Sequence, residues 1–339
     1  MGDKLKRLRK DSSAPPVEAC PHPEEKEPVQ AAQLMSACAA TPAPTPTLPL
    51  PQAATRAADG VPGTLEPTGA SVAEPVPLSA WHLCGEAVIG LAHRRKGLPC
   101  QDAIACRSTP RPILALSDGA GSAAVSELGA RAMVAGISRF LMSLEDDLAP
   151  WLDDTDATPF DQTGRWAGRL LRHAQGILDD LARSERRNVR DLRGTLLLAV
   201  IGMRQAFWWQ VGDGAIVVRH ADGLHALGTP VSSKGEFANQ TCFVDIADIG
   251  TVQYGVLPTS ELIGLALMSD GGAEKLVAHD GSQVAARLGE WFDAVADDRF
   301  PPDRIALAFH EPAMWERTNL DDRSVVFAAR RENHSEGFV

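Results

Sequence analysis

The sequence predicts an α+β fold in which two antiparallel sheets stack face to face and are flanked by helices. Three observations point there. From Trp81 onward, short β-branched and apolar segments recur with turn signals between them. The connections between successive segments are too short for crossover helices, which makes the pairing antiparallel. Only a few longer stretches carry apolar residues at helical spacing.

The 339 residues, 44% of them hydrophobic, suffice for a sizeable core. The aromatic residues locate it: none of the 18 precedes Trp81, whereas 14 of the 24 prolines do. Residues 1–80 therefore lack the apolar surface to offset their conformational entropy and read as a disordered, Pro/Ala-rich tail. The domain is expected over 81–333, with 334–339 a short C-terminal tail.

Within the domain, residues 82–90, 102–108 and 112–117 read as successive strands, the last two joined by a turn at Thr109-Pro110-Arg111. Ser122 to Ser143 carries Val125, Leu128, Ala132, Val134, Ile137 and Leu141 at helical spacing. A second helix is expected over Gly164 to Ser184. Between them Glu145 to Gln162, acidic and holding Pro150 and Pro159, reads as a surface loop. Residues 195–203 and 206–211 form a hairpin around Gly202-Met203-Arg204-Gln205, and 214–220 with 224–227 another around Asp222-Gly223. A polar stretch runs from 228 through Gly255, followed by a strand at 262–269, an amphipathic helix near 281–296 and a last strand at 324–330.

Composition excludes several functions. A net charge of -11 argues against a nucleic-acid surface, which needs clustered Lys and Arg. Met1 to Lys10 holds five basic residues, but no apolar segment of secretory type follows. No apolar run reaches membrane-spanning length, and Lys6 stands where a myristoylation motif has Ser or Thr. A cytoplasmic monomer without membrane attachment is expected. The six cysteines, at 20, 38, 84, 100, 106 and 242, form neither a CxxC pair nor a disulfide framework.

The chemistry lies at strand ends. Leu114-Ala115-Leu116-Ser117-Asp118-Gly119 and Leu265-Ala266-Leu267-Met268-Ser269-Asp270-Gly271 each deliver an aspartate and a glycine from an apolar strand. Asp321-Asp322 precedes the strand of Val325-Val326-Phe327. Carboxylates gathered from three strand ends suit hard divalent cations, and a glycine leaves room for an ion near the backbone.

Taken in order, Gln101-Asp102-Ala103, Ser117-Asp118-Gly119-Ala120-Gly121, Arg193-Gly194-Thr195, Val211-Gly212-Asp213-Gly214, Ser269-Asp270-Gly271 and Asp321-Asp322-Arg323-Ser324 resemble the metal-dependent protein serine/threonine phosphatases of type 2C, in a bacterial form, over Trp81 to Arg330. The resemblance implies a four-layer α-β-β-α sandwich with two Mn²⁺ or Mg²⁺ ions in its central cleft. It implies that Asp118 bridges the ions, Asp270 and Asp321 hold one, the Gly119 carbonyl holds the other, and Asp102 acts through a bound water. Asp213 would join Asp270 at a third metal site. The implied reaction is attack of a metal-activated water on phosphoserine or phosphothreonine in a protein substrate, whose phosphate comes from a serine/threonine kinase.

The chain departs from that pattern at three places. Gly97 stands where the family carries its phosphate-binding arginine, so Arg94 and Arg95, with Lys96 after them, are the candidate phosphate ligands. Gln101 replaces a glutamate. Ala120 occupies the position of a histidine that protonates the leaving group in some members, which makes His93 the candidate acid. Gly235 to Thr241 falls where the family inserts a flap beside the cleft.

Two other readings compete. Gly119-Ala120-Gly121-Ser122-Ala123-Ala124 fits the dinucleotide fingerprint of a Rossmann oxidoreductase, but Asp118 would face the pyrophosphate and the preceding strands form hairpins. A phosphoprotein-binding module of the same fold, inactive through the changes at Gln101 and Ala120, is the other; its metal-binding aspartates would be intact.

Overall fold

The computed structural model describes residues 74–154, 160–228 and 241–331. Residues 1–73 of the tail expected over 1–80, the flap residues 235–240 and the C-terminal tail 334–339 lie outside the described residues.

The described residues begin with a 3-10 turn, Leu78–Ala80, followed by β1 (His82–Val88), α1 (Leu91–Lys96), β2 (Ala103–Arg107) and β3 (Ile113–Ser117). Three helices come next: α2 (Ser126–Met142), α3 (Glu145–Asp153) and α4 (Phe160–Glu185). A run of strands follows, β4 (Leu196–Ile201), β5 (Gln205–Val211), β6 (Ala215–His220), β7 (Gly223–Leu227), β8 (Gln253–Pro258) and β9 (Gly264–Met268). The chain ends with α5 (Asp270–Ala273), α6 (Ala286–Ala296), α7 (Pro302–His310), α8 (Pro312–Trp315) and β10 (Arg323–Ala329).

The strands form two five-stranded antiparallel sheets, β1-β10-β9-β6-β7 and β2-β3-β4-β5-β8. Every residue of β3, β4, β9 and β10 is buried, which explains why these segments read as continuous apolar runs. Each has a sheet on one face and helices on the other. Leu114, Leu197, Ile216, Leu265 and Val326 pack between the sheets. Met133, Leu170 and Trp209 belong to the core under α2, α3 and α4, and Trp291, Phe309 and Phe327 to the core under α6 and α7. The layers therefore run helix, sheet, sheet, helix, as expected. A purely antiparallel arrangement excludes the parallel sheet of a Rossmann domain.

Both hairpins form where the turn residues indicated. Elsewhere the structure corrects the sequence reading. Much of the acidic stretch after Glu145 is the helix α3, not a loop: Leu148, Trp151 and Leu152 are buried at i, i+3 and i+4 despite Pro150. Its ends hold Arg111, which is fully buried and donates to Glu145 at 2.6 and 2.8 Å and to Asp153 at 3.0 and 3.2 Å. Strand β8 forms where a polar stretch was expected, and α1, α7 and α8 were not anticipated.

Packing begins before Trp81. Val76 is buried, and its N–H donates to the Met203 carbonyl at 2.8 Å. Deleting residues 1–80 should therefore lower the melting temperature relative to deleting 1–73, by roughly 2–4 °C for each kcal/mol lost. The buried valine and its hydrogen bond together contribute on the order of 2 kcal/mol. Equal melting temperatures for the two truncations would assign no stability to Val76.

Candidate active site

Five aspartates sit at strand ends on one edge of the stacked sheets. Asp102 immediately precedes β2 and Asp118 immediately follows β3, flanking the Ala103–Ser117 pair of the first sheet. Asp270 opens α5 just beyond β9, and Asp321 lies two residues before β10, flanking the Met268–Val325 pair of the other sheet. Asp213 stands in the turn between β5 and β6, exposed. Because the sheets are face to face with these ends aligned, the carboxylates converge.

Their titration reports the convergence. Burial pushes Asp102 up to about 7, against an ordinary 3.8; Asp322 and Asp270 push in the same direction, while the Ser324 and Ser269 hydroxyls partly counter them. Ser324 lies in β10 and Ser269 just beyond β9, so Asp102 reaches across to the other sheet. Asp118 is raised well above the ordinary carboxylate range by burial and by Asp102, Asp270 and Asp321, and it shares a hydrogen bond with Asp270. Burial, Asp213 and Asp321 raise Asp270, against the bond to Asp118 and the Gly271 N–H. Four acids this close repel one another unless protonated or bound to cations.

Backbone approach makes this possible. A Cβ on Gly119 would lie 2.8 Å from the Gln101 carbonyl and from Ser126, and one on Gly271 would lie 2.2 Å from the Asp322 carbonyl. Glycine alone lets the Asp118 turn close on Gln101 and the Asp270 turn close on Asp322. Ser269 caps α5 through the Gly272 N–H at 3.3 Å and also accepts the Ser324 N–H at 3.1 Å, tying the two acid-bearing turns together.

The donor set fits a hard divalent cation. It consists of carboxylate oxygens and a glycine carbonyl, Asp102, Asp118 and Asp270 are raised by burial and by neighbouring carboxylates, and the buried Asp102 Oδ2 has no hydrogen-bond partner.

The sequence reading missed Asp322. It is buried and accepts the Gly90 and Gln101 N–H groups, both at 2.6 Å. It thereby pins the start of α1 and the residue before Asp102 to the Asp321 turn. Its signal in the sequence was its place in the Asp321-Asp322-Arg323-Ser324 motif, in which no role attached to it.

The basic residues differ most from expectation. His93 is not on an exposed loop: it is buried in α1, with Nδ1 2.9 Å from Asp322 Oδ2 and Nε2 3.9 Å from Asp321 Oδ1. Arg94 and Arg95 also lie on α1 and not on an adaptable loop. Arg94 Nη2 is 2.7 Å from His310 Nε2 on α7, and His310 Nδ1 is 2.7 Å from the Ala306 carbonyl. A proton on Nδ1 satisfies both contacts, leaving Nε2 to accept from the guanidinium. Helix geometry turns Arg95 about 200° from His93 and brings Lys96, three residues on, to the His93 side. Lys96→Ala is therefore expected to reduce kcat/KM on a phosphopeptide roughly 10-fold, the scale of one charge-assisted bond. The Arg94→Ala/Arg95→Ala double variant should lose less than about 3-fold by the same scale, and the reverse order of effects would return phosphate capture to the arginines.

Residues 89–307 match the family model described as protein phosphatase 2C. Serine/threonine-protein phosphatase 3 of Escherichia coli (strain K12) is 28% identical over 262 residues, which cover 74% of this chain and 98% of that protein. Among solved structures, serine/threonine phosphatase Stp1 from Staphylococcus aureus aligns at 13% identity and a TM-score of 0.49, covering 78% of this chain and 99% of that one. The catalytic domain of the serine/threonine protein phosphatase PstP, solved in complex with two manganese ions, aligns at 16% identity and a TM-score of 0.49, covering 74% of this chain and 99% of that one.

Proposed function

The chain belongs to the protein phosphatase 2C family, and from that premise we propose that it hydrolyses phosphoserine and phosphothreonine esters in proteins with two divalent cations, Mn²⁺ or Mg²⁺. The observation that carries this reading is the raised cluster of Asp102, Asp118 and Asp270. Asp118 would bridge the two ions, Asp270 and Asp321 would hold one, and the Gly119 carbonyl the other. Asp213 with Asp270 offers a third, more exposed position. When bound, the cations supply neutralisation of the phosphate charge and a lowered pKa for water between them.

The residues of the chain do the rest. Asp102 Oδ2, buried and unpartnered, orients the attacking water. Water attacks phosphorus, the bond from phosphorus to the serine or threonine oxygen breaks, and that oxygen takes up the proton that the attacking water gives up. Asp322 holds Gly90 and Gln101 in place. We give His93 a positioning role in place of the acid role expected for it, since its burial against Asp322 supports one that fixes the Asp321 turn. The partner is a protein phosphorylated by a serine/threonine kinase, and the working state is a cytoplasmic monomer.

Phosphate release from phosphoserine peptides and from p-nitrophenyl phosphate, measured with Mn²⁺, with Mg²⁺ and after chelation, tests the reading. Activity is expected with either metal and none with EDTA. Turnover that survives exhaustive chelation would overturn it, and Mn²⁺ binding without turnover on any substrate would favour the inactive binding module.

A further inference from the structure

We propose that a cavity beside the acid cluster is a specificity subsite for a lysine or arginine close in sequence to the phosphorylated residue of the substrate; this rests on the phosphatase reading above. The cavity measures about 310 Å³ and is lined in part by Asp270 and Asp213, so it shares two carboxylates with the proposed metal centre. Its walls come from β6, β7, α5 and the segment that follows α5.

Two properties of the lining select the occupant. Ala215, Leu227, Ala273 and Val277 give it apolar walls, while Glu274 stands with Asn319 on its border. The Glu274 carboxylate accepts the Asn319 N–H at 3.3 and 3.4 Å, which orients it and leaves acceptor capacity on both oxygens. Among the described residues no lysine or arginine lines the cavity, although Lys275 is the next residue after Glu274. The cation near Glu274 is Arg323, which is buried and donates to the Gly271 carbonyl and the Thr318 hydroxyl. A basic side chain matches both features, because its methylene stem buries against apolar walls while its charged head reaches a carboxylate. In the phosphatase reading Asp270 would hold an ion and Asp213 would be available to one, which leaves Glu274 as the carboxylate for the head group. An acidic side chain in the same place would face the Glu274 carboxylate, with His279 the one basic residue type in the lining.

The experiment uses the full chain with Mn²⁺ and a phosphoserine peptide in which one lysine is moved through the four positions on either side, with alanine or glutamate in its place as controls. At one position or an adjacent pair, lysine should raise kcat/KM roughly 5- to 20-fold over alanine, and glutamate should lower it. Glu274→Gln should reduce that preference to about 2-fold or less while kinetics on p-nitrophenyl phosphate, which has no flanking residue, stay unchanged. Ala278→Phe, which fills the cavity from its lining, should abolish the preference without touching Glu274. Absence of a positional preference in the native chain, or its persistence in both variants, overturns the subsite while leaving the phosphatase reading intact. Loss of all turnover on p-nitrophenyl phosphate in the native chain would instead reject the phosphatase reading.

Discussion

Replacing Asp118 with asparagine is expected to reduce kcat on p-nitrophenyl phosphate by roughly 10³-fold, about 4 kcal/mol of transition-state stabilisation, and at the same time to raise the melting temperature of the metal-free protein. The two effects share one cause. Asp118 is raised by burial and by Asp102, Asp270 and Asp321, so its negative charge destabilises the metal-free fold and is useful only when cations answer it. An amide of the same size removes that charge and still offers an N–H to Asp270, the bond a protonated Asp118 makes. Mn²⁺ affinity should fall in parallel, read by calorimetry. A variant with native kcat, or one that melts lower than the native chain in EDTA, would reject the bridging position.

The metal-free protein should lose stability as pH rises, by on the order of 2 kcal/mol between pH 5 and pH 8, and Mn²⁺ should abolish the loss. Asp102 titrates near 7 in the folded protein against an ordinary 3.8. Between those values the folded chain keeps a proton that the unfolded chain has released. Stability from that proton is present at low pH and disappears as pH climbs through about 7. Asp118 and Asp270, also raised, act in the same direction. Bound cations would take the place of the protons, so the slope should vanish once the ions saturate the site. Urea melts across this range with EDTA and with Mn²⁺ measure both slopes; stability that rises with pH in EDTA would show that the acids do not repel as their burial requires.

Arg111 and α3 illustrate why part of the fold was not legible. Pro150 and the acidic run Glu145-Asp146-Asp147 look like a loop in isolation, yet those acids lie in the first helical turn, where negative charge is favourable, and Glu145 bonds a buried arginine 34 residues earlier. Strand β8 has a mixed burial pattern at the edge of its sheet, so it carries little of the alternation that marks a half-buried strand. Helix α1 is six residues long and starts at a glycine with no side-chain cap, so it left no periodic signal. Those six residues place His93, Arg94, Arg95 and Lys96, and the expectations for them changed the most.

The sequence by itself determined the strands other than β8, their antiparallel pairing, the two hairpins and the presence of an aspartate at the end of each of several strands, because alternation, continuous apolar runs and turn residues are local properties. It also carried the six ordered motifs that mark the family. The tertiary structure alone decided the distances among Asp102, Asp118, Asp270 and Asp321, the role of Asp322 in pinning Gly90 and Gln101, the burial of His93 and the cavity bordered by Glu274. These depend on how two sheets stack and how closely Gly119 and Gly271 let backbones approach, and burial and charge repulsion arise only once segments up to 232 residues apart are brought together.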